Sequence, residues 1–214
     1  MQTVDTILFD LDGTLIDSNE IIIKSYQHAF KTVFPNLKVP RKTIIEAIGP
    51  PLRVIFSKYT DDLIVVEKLI KHYRSYYTAN ESKYYALYDN VHKVLKVLKK
   101  KKIQLAIVTS KFKVAAWPSF KHFKLDRYFD VFIALDDVKK PKPDKEPVLR
   151  ALAHFKNPKA IMIGDNQSDL LAGKNAGILT GGVAWSIKGE ASLKAVHPDY
   201  IFKSMEDILT QLKI

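Results

Sequence analysis

The sequence predicts a doubly wound, Rossmann-like α/β domain with a parallel sheet, interrupted near its start by a helical insertion. Three observations carry this expectation. From Lys93 onward, apolar runs of strand length alternate with helical patterns, the order expected of strands joined by crossover helices. A further apolar run occupies residues 4–9, ahead of that alternation. Between the two, residues 16–83 are helical in pattern throughout.

Strands are expected at residues 4–9, 103–108, 131–135, 161–163 and 182–184, with 200–202 extending the edge. Within the insertion, Ile21, Ile22, Ser25, Tyr26, Ala29 and Phe30 share one helical face. Ile44, Ile45 and Ile48 follow, then Leu63, Val66, Leu69, Ile70 and Tyr73. Pro35, Pro40 and Gly49-Pro50-Pro51 punctuate these segments. The division is therefore a core of residues 1–15 and 84–214, and a small helical bundle of residues 16–83 over the strand ends. Gly177 reads as the left-handed cap of a helix end, because residues 173–177 lack the spacing of a phosphate loop.

Composition narrows the function classes. The chain has 214 residues, 47% hydrophobic and 27% charged, the profile of an ordinary globular protein with one sizeable core. It contains no cysteine, so disulfides and thiolate chemistry are excluded. Neither a leader-like start nor an apolar run of membrane-spanning length is present, so a cytoplasmic protein with no membrane contact is expected. The formal net charge of +11 raises the question of nucleic acid. Its densest basic run, Lys93, Lys96 and Lys99 to Lys102, is interleaved with Val91, Val94, Leu95 and Leu98 at helical spacing. The lysines then occupy a solvated face and a helix C-terminus, and no nucleic-acid partner is expected. The excess charge suits small anionic substrates instead.

Four clusters of reactive side chains follow predicted strands. Asp10 and Asp12 lie in Phe-Asp-Leu-Asp-Gly-Thr-Leu, directly after the first strand. Two acids one residue apart at a strand end are costly unless a cation joins them, although Asp-Gly is also a common turn dipeptide. Thr109, Ser110 and Lys111 follow the second strand and suit an oxyanion, or alternatively a helix N-cap. Lys142 lies in Lys140-Pro141-Lys142-Pro143-Asp144, where prolines stiffen the segment. Asp165, Asn166 and Asp169 follow the fourth strand, with Asp165 at its tip and Asp169 on the same helical face four residues on. Hydrated magnesium suits one or two carboxylates plus a substrate phosphate, so Asp10 and Asp165 make a plausible pair. The six histidines show no paired metal spacing.

In this order and placement the four clusters resemble the haloacid dehalogenase superfamily of phosphatases, and the insertion resembles its type-one helical cap (C1). The resemblance covers essentially the whole chain. Residues 129–138 and 142–147, with Ala172-Gly173-Lys174-Asn175-Ala176-Gly177 and residues 182–189, are similar to the PpaX-type inorganic pyrophosphatase branch, which lies close to phosphoglycolate phosphatases. One departure is Lys145, where similar proteins commonly carry proline.

The resemblance implies an Mg2+-dependent phosphohydrolase. Asp10 would be the nucleophile, forming an aspartyl-phosphate, and Asp12 the general acid and base. Asp10, Asp165 and the Asp12 carbonyl would hold the metal, Thr109 and Lys142 the phosphoryl oxygens, and Asn166 and Asp169 would orient Lys142 and the metal shell. The second acid, Asp12, favours a phosphate ester or anhydride over a halide. Pyrophosphate is the first expectation and phosphoglycolate the second. A phosphomutase reusing the aspartyl-phosphate and a basic nucleic-acid-binding protein are further alternatives. Pyrophosphate would require a cation for its second phosphate, for which Arg53, Lys24, Lys111 and Lys113 are candidates. Arg53 leads because it follows the rigid turn containing Gly49, and His28 and Ser110 are further candidates for substrate contact.

Overall fold

A computed structural model describes residues 4–214. In chain order the elements begin with β1 (Thr6–Phe9), β2 (Ile16–Asp17), α1 (Asn19–Val33), α2 (Arg41–Ala47), α3 (Leu52–Phe56), α4 (Leu63–Asn80) and β3 (Ala86–Leu87). They continue with α5 (Val91–Lys100), β4 (Gln104–Val108), α6 (Lys113–His122), β5 (Val131–Ile133), α7 (Glu146–Leu152) and β6 (Ala160–Gly164). The chain finishes with α8 (Gln167–Asn175), β7 (Leu179–Val183), α9 (Glu190–Lys194), β8 (Tyr200–Phe202) and α10 (Met205–Leu212). Two compact units result, residues 1–16 with 87–214, and residues 17–86.

The first unit holds a six-stranded sheet in the order β5-β4-β1-β6-β7-β8, and every pairing is parallel. β1 is central because the chain builds outward from it to β4 and β5, then crosses back to β6. That reversal is a topological switch point, where the strand C-termini open a crevice. Alternate residues feed opposite faces. Leu8, Ala106, Val108 and Met162 pack with Val148 and Ala151 of α7 and Ala172 of α8. On the other face Phe9 meets Phe129 at 6.2 Å, and Phe129 meets Phe120 of α6 at 5.7 Å. Helices thus cover both faces, and the doubly wound α/β class read from the sequence is the observed one.

Several boundaries differ from the sequence reading. β7 runs over Leu179–Val183 instead of residues 182–184, because Gly181 and Gly182 pair within the ladder and conceal its apolar character. β5 stops at Ile133, and Leu135–Asp137 form a 3₁₀ turn in which the Asp137 carboxylate accepts the Ala134 N–H at 2.8 Å. On α5, Val91, Val94, Leu95 and Leu98 are all buried. Lys99 and Lys93 on its polar side pair with Asp130 and Glu206 at 2.8 and 3.3 Å.

The second unit is helical. Tyr26 and Phe30 of α1 pack on Phe56 of α3 at 5.4 and 5.6 Å, and Tyr26 meets Tyr73 of α4 at 4.9 Å. The buried stripe of α1 includes Ile23 in place of Ile22. Leu63, expected inside, is exposed because it is the first residue of α4, whose buried stripe begins at Val66. The Asp62 carboxylate caps α4 by accepting the Ile64 N–H at 2.8 Å. No helix among the described residues is long and apolar enough to cross a membrane.

The bareness of Gly181 is a packing requirement. A Cβ there would lie 2.4 Å from Cε2 of Phe202, which is fully buried on the neighbouring β8. Gly181→Val should therefore lower stability by about 1–3 kcal/mol through overpacking, read as a fall in the midpoint of urea unfolding with an unchanged slope.

Candidate active site

Asp10 directly follows β1, and its N–H still donates to the Ile163 carbonyl of β6 at 2.9 Å, so the backbone carrying this acid is held as firmly as the strand. The chain then turns through Gly13 at φ +84°. A Cβ on Gly13 would lie 2.4 Å from the Asp165 carboxylate, so the two acid-bearing loops approach as closely as they do because this residue has no side chain. Asp10, Asp165 and Asp169 are all buried, and each can offer an oxygen within 4.8 Å of the others.

Lys142 is 3% exposed and enters from the loop between β5 and α7. Its ammonium donates to Asp10 Oδ1 at 2.7 Å, to Asp169 Oδ1 at 2.5 Å and to the Val108 carbonyl at 2.8 Å. Its three protons thereby find three buried acceptors. The loop that presents it is itself fastened. The Glu146 carboxylate accepts the N–H groups of Lys139 and Lys140 at 2.9 Å, and Asn175 of α8 donates to the Pro143 carbonyl at 2.9 Å.

Asn166 caps α8, its side chain accepting the Ser168 N–H at 3.3 Å. Asp169 reaches back with its second oxygen to accept the Asn166 N–H at 3.0 Å. Asp165 therefore precedes the helix instead of sharing a face with Asp169, and a cap bond with the Lys142 bridge brings the cluster together. Nor do Thr109 and Ser110 cap α6. Thr109 Oγ1 accepts the Lys111 N–H at 3.2 Å, while Asp136 caps the helix by accepting the Lys113 N–H at 2.8 Å. Thr109 is buried, and the buried Ser110 hydroxyl has no hydrogen-bond partner among the described residues.

Asp12 is beside the cluster, and its carboxylate pairs with Lys111 at 3.3 Å, with the two side chains 14% and 18% exposed. The other candidates have different surroundings. Arg53 pairs with Glu67 at 2.5 Å on the outside of the helical unit, Lys24 lies over the Tyr84 ring at 5.3 Å, and His28 stacks on Tyr76 at 4.8 Å. Gly49 adopts φ +125° ahead of α3. Lys113 is exposed and lies over Trp117 at 5.6 Å.

The turn after β7 carries residues to which the sequence reading assigned no role. Ser186 Oγ donates to the Asp165 carbonyl at 2.7 Å and accepts the Lys188 N–H at 3.3 Å, and the Trp185 indole donates to the Thr14 carbonyl at 3.2 Å. The available signal was position, a fifth strand end on the side of the other four.

The cluster is electrostatically frustrated. Burial, with repulsion from Asp169 and Asp12 and only partial relief from Lys142, pushes Asp10 up to about 7. Burial, then Asp169 and Asp10, raises Asp165 well above the carboxylate range. Burial alone would discharge Lys142, yet Asp10 and Asp169 hold its ammonium above the ordinary value. Counting Asp10, Asp12, Asp165 and Asp169 against Lys111 and Lys142 leaves two negative charges when all are ionised, and the oxygen donors suit a hard divalent cation. Asp169 already uses one oxygen on Lys142 and the other on Asn166, so Asp10 and Asp165 are the better ligands.

Residues 7–183 match the haloacid dehalogenase-like hydrolase family. The chain is 43% identical over 208 residues to Pyrophosphatase PpaX of Halalkalibacterium halodurans, covering 96% of this chain and 95% of the relative. Among solved structures, it is similar to a haloacid dehalogenase-like hydrolase from Streptococcus pneumoniae, with a TM-score of 0.84, 28% identity and 99% of each chain covered. It is also similar to a protein described as a predicted phosphoglycolate phosphatase from Haemophilus somnus, with a TM-score of 0.86, 26% identity and 99% of each chain covered. With the family match spanning most of its length, the chain belongs to the haloacid dehalogenase-like hydrolases.

Proposed function

We propose that the protein is a cytoplasmic, Mg2+-dependent phosphohydrolase acting through an aspartyl-phosphate, with inorganic pyrophosphate as its substrate. The observation that carries the reaction class is the buried set of Asp10, Asp165 and Asp169, with Lys142 bridging Asp10 and Asp169. The choice of pyrophosphate rests on similarity to the PpaX relative. Phosphoglycolate is the second reading, supported by the structural likeness to the Haemophilus somnus protein.

Asp10 and Asp165 would hold magnesium together with the Asp12 backbone carbonyl. Bound there, the ion neutralises the acids and lets an anionic nucleophile meet an anionic phosphate. Asp10 attacks phosphorus, an O–P bond forms, and the bond to the leaving oxygen breaks. Asp12 donates its proton to that oxygen. It then takes a proton from water, which attacks the same phosphorus and releases phosphate from Asp10. Lys142 and Thr109 orient the phosphoryl oxygens, with Ser110 a further candidate for substrate contact. Asp169 and Asn166 act by fixing Lys142.

Asp10→Asn should abolish phosphate release, and Asp12→Asn should reduce kcat by about 10²–10⁴; normal turnover by the Asp10→Asn protein would overturn the mechanism. Lys142→Met should abolish turnover and cost about 3–5 kcal/mol of stability, because it leaves buried carboxylates without their cation, and unfolding of purified protein without metal would measure this. Phosphate release from pyrophosphate, phosphoglycolate, hexose phosphates and nucleotides, with magnesium and with chelator, tests the substrate. Pyrophosphate should lead in kcat/KM, and activity should vanish with chelator. A lead for phosphoglycolate would overturn only the substrate, whereas transfer of phosphate to sugar instead of water would identify a mutase.

A further inference from the structure

We propose that Ser186 is a positioning residue for Asp165, holding the peptide group that follows this acid so that its carboxylate faces Asp10 across a divalent cation; the assignment rests on the metal-dependent reading above. Asp165 stands between two regular elements, since β6 ends at Gly164 and α8 begins at Gln167. Its carbonyl belongs to neither the ladder nor the helix, and a buried carbonyl left without a partner is costly. The turn after β7 supplies that partner: the buried Ser186 hydroxyl donates to the Asp165 carbonyl at 2.7 Å. The other polar end of the same peptide group is the Asn166 N–H, which donates to Asp169 Oδ2 at 3.0 Å. Two side chains from different elements therefore hold one planar unit at its oxygen and at its hydrogen.

The serine is itself well anchored. Its N–H donates to the Val183 carbonyl at 3.1 Å, its carbonyl accepts the Gly189 N–H at 2.9 Å, and its Oγ accepts the Lys188 N–H at 3.3 Å. The same turn reaches the loop of Asp10 and Asp12, because the Trp185 indole donates to the Thr14 carbonyl at 3.2 Å. Placement of Asp165 has little tolerance. Its carboxylate packs over Gly13 so closely that a Cβ there would lie 2.4 Å away. Rotation of the 165–166 peptide would carry the carboxylate off that contact and change its distance from Asp10. Asp169 also carries the Lys142 bridge, whereas the Ser186 bonds run to Asp165, Val183, Lys188 and Gly189, so substituting the serine spares the bridge. Mg2+ demands near-ideal octahedral geometry, and Ca2+ accepts a flexible shell of oxygens. Loosening Asp165 therefore penalises Mg2+ more, whereas a serine that only shapes its turn would affect stability without discriminating between the two ions.

The test uses the metal-free full chain without substrate, and reads the Kd of Mg2+ and of Ca2+ by competition with Mn2+, whose free form gives an electron paramagnetic resonance signal. Ser186→Ala should weaken Mg2+ binding on the order of tenfold or more, the scale of losing a group that orients a metal ligand. Ca2+ binding should weaken much less, and Ser186→Thr, which keeps the hydroxyl, should retain the affinity for both ions. Equal losses for the two ions, or no loss for either, would overturn the assignment. Ser186→Cys, whose thiol is a weak donor, supplies the same comparison if the alanine variant folds poorly. Asp165→Asn should abolish Mg2+ binding, and unchanged binding by that variant would overturn the metal assignment and the role of Ser186 together. A selective loss of Mg2+ binding in Ser186→Ala, with no phosphate release by the wild type from any substrate, would overturn the phosphohydrolase reading while supporting Ser186. Strong Mg2+-dependent phosphate release by the wild type, with equal losses for the two ions in Ser186→Ala, would do the reverse.

Discussion

The site depends on one buried ammonium. Lys142 is fully desolvated, which is tolerable only because two carboxylates and a carbonyl accept its three protons. Each partner comes from a different element: Asp10 after β1, Val108 at the end of β4, and Asp169 in the first turn of α8. The lysine therefore joins the central strand, its neighbour and the helix after β6. Asp169 is in turn locked by the Asn166 N–H, so the cap of α8 and the orientation of Lys142 are one structure. Loss of Lys142 leaves two buried carboxylates, Asp10 and Asp169, without their shared cation.

Sheet topology makes that meeting possible. Because β1 lies between β4 and β6, the residues following these three strands share one end of the sheet at its switch point. Glycines set how closely the loops approach. Gly13 faces Asp165, and Gly164 faces Asp169, where a Cβ would lie 2.4 Å from the carboxylate. These positions are small for reasons of contact, beyond any preference for turns.

The charge distribution divides along the fold. Four acids gather at the switch point, and burial leaves two of them, Asp10 and Asp165, holding protons too tightly to be indifferent to a cation. Most basic residues lie elsewhere. Lys93, Lys99 and Lys203 pair with surface acids, and Lys113 and Lys121 lie over Trp117. The net charge of +11 thus says little about the site, whose own balance is negative without a cation.

The sequence by itself determined the fold class and the family. Short apolar runs such as Ile103 to Val108 could bury both faces only as central strands, and reactive side chains immediately after such runs necessarily lie at strand ends. It also determined the buried stripe of α5, because Val91, Val94, Leu95 and Leu98 have helical spacing and nothing else to face. Where several residues compete for one local role, tertiary structure decided. Thr109, Ser110 and Asp136 could each cap α6, and Asp136 does so from another loop. Asp165 and Asp169 have the spacing of a helical pair, yet the helix begins between them. β7 was blurred because Gly181 and Gly182 carry no apolar signal, being small only to admit Phe202 and Ile201. The bonds of Ser186 to Asp165 and Trp185 to Thr14 span 21 and 171 residues, and no local pattern encodes a contact whose partner is supplied by the sheet.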